Sequence, residues 1–186
     1  MEVERAIEER RAYRSLEPVE VDDALVEKLA GAARLSASCF NNQPWRFVFA
    51  RGETMRRVHG TLSKGNEWAT ASSMIVGVVS RLDLDCVIKE REYYLFDTGM
   101  ATAFLILRAT ELGLVAHPIA GYDEQAAKAA LAVPDEMRLI TLVIVGQHSD
   151  EIGALLTEKQ AAEEPRRPSR MPLAEFTFRD RFGEPL

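Results

Sequence analysis

Asn41-Asn42-Gln43-Pro44-Trp45-Arg46-Phe47 is the stretch that decides how this chain is read. Two kinds of amide and a turn-forming proline stand directly before the run Trp45 to Ala50, whose alternation predicts a strand. Polar groups are thus placed at the mouth of a strand. Just upstream, Leu35-Ser36-Ala37-Ser38-Cys39-Phe40 is rich in small side chains, which let backbone N–H groups approach a ligand closely. Further out, Arg10, Arg11 and Arg14 form R-R-x-x-R near the N-terminus. A second basic group, Arg166, Arg167, Arg170, Arg179 and Arg181, lies at the other end.

These basic islands sit on an acidic chain. With 186 residues, a formal net charge of −6 and 47% hydrophobic residues, the composition fits one domain with one good core. An acidic balance argues against nucleic acid, which needs an extended basic surface. Two compact arginine groups suit a single phosphate better, because guanidinium presents a planar fork of donors. No apolar run reaches membrane-spanning length, and Met1-Glu2-Val3-Glu4-Arg5 lacks the order of a signal peptide. The expectation is a cytoplasmic protein with no membrane partner. Cys39 and Cys86 are too few for a disulfide framework, so both are expected to be free thiols.

Glu2 to Glu9 reads as a short helix, and Asp22 or Asp23 as the cap of a second one reaching Leu35. Thr54 to Leu62 reads as another helix, and Ser73 to Ser80 as a strand buried on both faces. Lys89 to Leu112 reads as a long helix buried on several sides and ended by Gly113. Leu114 to Ile119 is extended, Asp123 caps a helix reaching Ala132, Leu139 to Gly146 is a strand, and Glu151 to Glu163 a polar surface helix. Residues 164–186 form an arm with too few apolar residues to stand alone. Helices interleaved with four or five strands predict an α+β layer protein.

Several chemistries are missing from the sequence. None of the eleven glycines sits two residues from another, so no G-x-G-x-x-G exists, and there is no P-loop. His59, His117 and His148 match no metal-ligand spacing, and a surface or packing role is the better reading of each. No serine stands in a nucleophile elbow. Phosphate-binding arginines without hydrolytic side chains point to a bound cofactor that brings the chemistry with it.

The two N-terminal blocks resemble the signature of the nitroreductase family, usually written R-R-S-x-R and P-S-x-x-N-x-Q-P-W. The chain keeps Arg10, Arg11, Arg14, Ser38, Asn41, Gln43, Pro44 and Trp45, with Ala12 in place of the serine and Ala37 in place of the proline. Leu112-Gly113-Leu114 with Pro118-Ile119-Ala120-Gly121-Tyr122-Asp123 is similar to the family's G-L-G and P-I-x-G-F-D segments. Ser169-Arg170-Met171-Pro172-Leu173-Ala174-Glu175 is similar to its R-x-P-L-x-E.

The resemblance implies an FMN-binding homodimer: an antiparallel or mixed sheet wrapped by helices, with C-terminal arms exchanged between subunits. It implies that Arg10 and Arg170 bind the FMN phosphate, that Arg11 is a second phosphate or ribityl contact, and that Arg14 lies near the pyrimidine side of the ring. Ser38, Cys39, Asn41 and Gln43 would belong to the flavin site, the first three reaching it from the other subunit. Pro118, Ile119, Ala120 and Gly121 would run beside the ring, with Ala120 and Gly121 N–H groups facing it, and the Asn66 amide would reach its edge. A basic residue often stands where this chain has Pro168, so either Arg167 substitutes or the contact is missing.

The implied activity is hydride transfer from NADH or NADPH through flavin N5 to a small acceptor, a nitroaromatic, quinone or similar, by a ping-pong mechanism. No catalytic acid, base or metal is implied. The alternatives are a non-catalytic flavin-binding dimer and a specialised dehydrogenase or dehalogenase of the same family. Only about a dozen residues separate Ser80 from Tyr93, so the site is expected to be relatively open.

Overall fold

A computed structural model describes residues 2–186; Met1, the first residue of the N-terminal stretch read above, lies outside the described residues. The elements in chain order are α1 (Val3–Glu9), β1 (Leu16–Glu17), α2 (Asp23–Arg34), β2 (Arg46–Ala50), α3 (Gly52–His59), β3 (Met74–Ser80), β4 (Val87–Ile88), β5 (Arg91–Glu92), α4 (Tyr93–Glu111), β6 (Leu114–Ile119), α5 (Glu124–Leu131), β7 (Arg138–His148) and α6 (Glu158–Glu163). Single 3-10 turns at Cys39–Asn41, Glu67–Ala71, Leu82–Leu84 and Leu173–Glu175 fill the connections.

Strand β7 organises the sheet. It pairs with β3 along one edge, with β6 along the other and with β1 near its C-terminal end, while β2 pairs with the far edge of β3. Every pairing is antiparallel. Side chains on β3 and β7 alternate between two helical layers, as the period of two requires. Met74, Val76, Val78, Val143 and Val145 face Leu29 and Ala33 of α2 and Ala101, Leu105 and Ala109 of α4. Ile75, Val79, Leu142 and Ile144 face Val58, Trp68, Ala127 and Leu131. Helices thus cover both faces, which is why Met74 to Ser80 is buried without a break. The α+β layer class expected from the sequence is the one observed.

Most element ends follow local chemistry. The Asp22 carboxylate accepts from Leu25 N–H at 2.7 Å and opens α2, and Asp123 does the same for α5 through Ala126 N–H at 3.0 Å. Gly113 ends α4 in a left-handed conformation at φ 79°. Three expectations are corrected. The long helix starts at Tyr93 rather than Lys89, because Lys89, at φ 59°, turns a short hairpin formed by β4 and β5. The expected helix over Glu151 to Glu163 keeps only its last turn and a half. Gly153 is held against the buried Ser15, whose hydroxyl accepts its N–H at 3.1 Å, and a helix starts only at the Thr157–Gln160 capping box. The two cysteines are not free: Cys39 and Cys86 form a disulfide across 47 residues with Cα atoms 6.1 Å apart. Sequence spacing carries no sign of that pairing, because the loop before β2 and the segment after β3 meet only once the sheet has formed.

Several surfaces stay apolar among the described residues. Val3, Ile7, Leu35 and Phe104 are exposed, and Val3, Leu35, Phe104 and Leu107 line one groove among α1, α2 and α4. Met171, Leu173, Phe176 and Phe182 of the arm are exposed as well.

Candidate functional site

The arginines far apart in sequence come together in space. Arg10, Arg11, Arg14, Arg166, Arg167 and Arg170 line a cavity of about 220 Å³ between the end of α1 and the start of the C-terminal arm. Two carboxylates also line it, but neither neutralises an arginine: Glu163 pairs with Lys159, and Glu164 is turned toward backbone. Among the described residues no carboxylate lies within 4 Å of the Arg10, Arg14 or Arg170 guanidinium. Burial, followed by repulsion from Arg167 and Arg170, lowers the Arg10 pKa from its ordinary value. Concentrated positive charge of this kind, half sheltered and without internal counter-ions, is what a compact dianion neutralises.

Not every arginine is available to a ligand. Arg11 donates to the carbonyls of Glu164 at 2.9 Å and Arg166 at 2.7 Å, and stacks over Tyr13. It ties the root of the arm to the N-terminal segment. Arg167 fills the place next to Pro168, with its guanidinium bonded to the carbonyls of Glu8 and Arg10 at the end of α1. There it opposes the negative end of the helix, and its charge still reaches the cavity.

Beneath the cavity lies a set of residues with no sequence signal. Glu164, 5% exposed, accepts the N–H groups of Arg14 and Ser15, each at 2.6 Å. It fixes the backbone that carries Arg14 onto β1. His117 on β6 is 9% exposed, stacks on Trp68 at 4.6 Å, and donates from Nδ1 to the Tyr13 carbonyl at 3.1 Å. The carbonyl is an acceptor only, so the proton sits on Nδ1. Burial pushes the His117 pKa down to about 4, with Arg14 and Arg10 adding to the effect. The histidine is therefore neutral at ordinary pH and packs, as its isolation in sequence suggested.

Asn66 and Gly121, predicted separately, meet. The Asn66 amide donates to the Gly121 carbonyl at 2.9 Å, and the same carbonyl accepts from Ser63 N–H at 3.0 Å. A methyl group on Gly121 would fall on the Asn66 amide nitrogen. Gln160 of α6 donates to Gly65 at 2.7 Å, so the helix leading into the arm also holds this turn. Pro118 and Ala120 are exposed and Ile119 is buried. The N–H groups of Ala120 and Gly121 donate to no group among the described residues, which leaves two backbone donors free at the end of β6.

The remaining predicted residues stand elsewhere. Ser38 Oγ accepts from Gln43 N–H at 3.0 Å and closes the loop on itself, while Cys39 N–H donates to Asp97 of α4 at 2.6 Å. Phe40, Asn41 and Gln43 all have positive φ, at 47°, 58° and 50°, a conformation that non-glycine residues hold only when their surroundings enforce it. Asp97 is 1% exposed, and burial raises its pKa while the Cys39 N–H works against that. No hydrogen bond joins this loop to the arginine cavity within the described residues. Within one chain the candidate residues therefore stand in three places: the arginine cavity, the Asn66–Gly121 turn and the loop of residues 38–43.

The nitroreductase family's sequence profile matches residues 7–73, the part of the chain that carries both N-terminal blocks. An uncharacterised 15.4-kDa protein of Mycolicibacterium smegmatis is 35% identical over 138 residues, covering 74% of this chain and 90% of that one. A protein of Stutzerimonas stutzeri provisionally named as an NADH dehydrogenase/NAD(P)H nitroreductase is 30% identical over 146 residues, covering 68% and 74%. A crystal structure described as an oxidoreductase containing FMN superposes with a TM-score of 0.82 at 29% identity, covering 96% of this chain and 92% of that one. The arginine blocks, the loop before β2, the antiparallel sheet between helical layers and these relatives agree: the chain belongs to the nitroreductase family, and is an oxidoreductase of that family.

Proposed function

We propose that the protein is an FMN-dependent, NAD(P)H-using oxidoreductase that acts as a cytoplasmic homodimer. The observation that carries this reading is the arginine cavity, where Arg10, Arg14 and Arg170 converge with no carboxylate within 4 Å among the described residues. Its size and charge fit the terminal phosphate of FMN. The free N–H groups of Ala120 and Gly121 and the amide of Asn66 fit hydrogen bonding to the polar edge of the ring. Bound there, FMN would supply hydride chemistry between NADH or NADPH and a small acceptor such as a nitroaromatic or quinone, by a ping-pong mechanism.

The chain's own share is binding and orientation. Arg10 and Arg170 hold the phosphate, Arg14 extends the positive charge toward the ring, and Arg11 and Glu164 keep those groups in place. Ser38, Cys39 and Asn41 complete the site of the second subunit, which accounts for their separation from the arginine cavity within one chain, and Gln43 belongs to the same loop. The exposed groove of Val3, Leu35, Phe104 and Leu107 and the arm residues Phe176 and Phe182 supply apolar surface for that dimer. Full burial of each such side chain contributes about 1.5–3 kcal/mol. Among the described residues no helix is long and apolar enough to cross a membrane.

Anaerobic addition of NADH or NADPH tests the reading. The flavin absorbance of the purified protein is expected to bleach with one of the two, and to return on adding a quinone or nitroaromatic. Steady-state rates should then give parallel double-reciprocal lines. A flavin that neither nucleotide bleaches would leave a binding protein instead of an enzyme.

A further inference from the structure

The loop of residues 38–43 has an unusual energetic position. Three of its residues, Phe40, Asn41 and Gln43, are held left-handed without being glycine, and such conformations persist only where neighbours over-determine them. Two of the restraints come from one distant segment, the turn after β3. Asn42 Nδ2 donates to Asp85 Oδ1 at 3.2 Å and reaches Cys86 Sγ at 3.4 Å, and Cys39 is bonded to Cys86. Of these, the covalent bond is the only one that a chemical change can switch on and off.

The surroundings suit such a change. Within one chain both cysteines are only partly buried, and Cys86, which the reading above does not place at the flavin, gives a small thiol or disulfide its way in. Cys39 and Phe40 from the loop and Ile88 from the other segment line a cavity of about 430 Å³ together with Tyr93, Phe96 and Met100 of α4, so the disulfide joins two of the three segments around it. A single cysteine pair in a chain whose remaining fold rests on two large apolar layers matches the use of isolated disulfides as redox sensors rather than as frameworks.

We propose that Cys39 and Cys86 form a reversible thiol–disulfide site, addressed by small-molecule disulfides, whose closure orders loop 38–43 and whose opening releases it. In closing, one thiol attacks the small disulfide and displaces one of its halves as a thiol. The second cysteine then attacks the mixed disulfide and releases the other half. Two electrons and two protons pass from the protein to the small disulfide, which leaves as two thiols. Because Ser38, Asn41 and Gln43 lie in this loop, closure strengthens flavin retention; that consequence rests on the function proposed above.

The protein is divided between excess dithiothreitol and excess oxidised glutathione. Portions of each sample are alkylated for mass analysis and followed by hydrogen exchange, and a further portion, stripped of flavin, is titrated with FMN. Reduction is expected to expose two alkylatable thiols, to raise amide exchange at least fivefold over residues 38–43 and 81–92, and to weaken FMN binding at least fivefold. Oxidised glutathione should reverse all three. Cys86→Ser should match the reduced protein in exchange and in FMN affinity, and oxidised glutathione should restore neither, because glutathione joined to Cys39 has no second cysteine to displace it. Equal exchange in the two states, glutathione left attached to either cysteine of the wild-type protein, or reduced thiols that hold added zinc against the oxidant would each overturn the proposal. Altered exchange with unchanged FMN affinity would overturn its link to the flavin. Failure of both states to bind FMN would refute the proposed function instead, and exchange would still decide the switch.

Discussion

Replacing Arg10 and Arg170 together with alanine is expected to weaken FMN binding by a factor of at least a hundred. A hydrogen bond to a charged group is worth about 1.5–3 kcal/mol, so losing two comes to about 3–6 kcal/mol in binding free energy. The fold should survive, because among the described residues neither guanidinium is paired and Arg10 is held in a repulsive field by Arg167 and Arg170. Lysine at the same positions keeps the charge but loses the planar fork, and should recover only part of the affinity. Fluorescence titration of the apoprotein with FMN gives the numbers. Wild-type affinity in the double alanine variant would remove the phosphate from this cavity.

Acid should destabilise the protein through His117. In the folded state burial holds its pKa at about 4, whereas in the unfolded chain an ordinary histidine titrates near about 6.5. Between those values the unfolded chain binds the extra proton, so stability falls as pH drops from about 6.5 toward 4 and is fully present above that window. The loss amounts to about 2–3 kcal/mol by pH near 4.5, at 1.36 kcal/mol per pKa unit. Asparagine at position 117 keeps a donor for the Tyr13 carbonyl and does not titrate. Urea unfolding of His117→Asn should therefore show a shallower fall between neutral pH and pH near 4.5, whatever the substitution costs at neutral pH. Identical slopes for the two proteins would mean that His117 is not held neutral by the fold.

Much of the fold was written in local patterns. The alternation after Pro44, the continuous apolar run before Ser80 and the Asp22 and Asp123 caps each placed an element within a few residues of its observed ends. The arginine cavity was also foreseeable, because R-R-x-x-R and Arg170 match the family blocks at both ends of the chain. What stayed hidden depends on pairing across the sheet. Glu164 precedes a proline in a polar stretch and gives no sign that it will be buried against the N–H groups of Arg14 and Ser15. Cys39 and Cys86 are joined by the antiparallel return of β3 alongside β2, which no count of cysteines can supply. The helix expected over Glu151 to Glu163 failed for the same kind of reason: Gly153 is claimed by Ser15, a partner 138 residues away.

The account stands on the arginine cavity receiving the flavin's phosphate, and comparing FMN with riboflavin on the same apoprotein tests that without changing a residue. Riboflavin has the ring and the ribityl chain but no phosphate. Calorimetric titration is predicted to show FMN binding at least a hundredfold more tightly, with a dependence on salt that riboflavin lacks, since only FMN carries a charge for the arginines to meet. Equal affinities for the two flavins would contradict it.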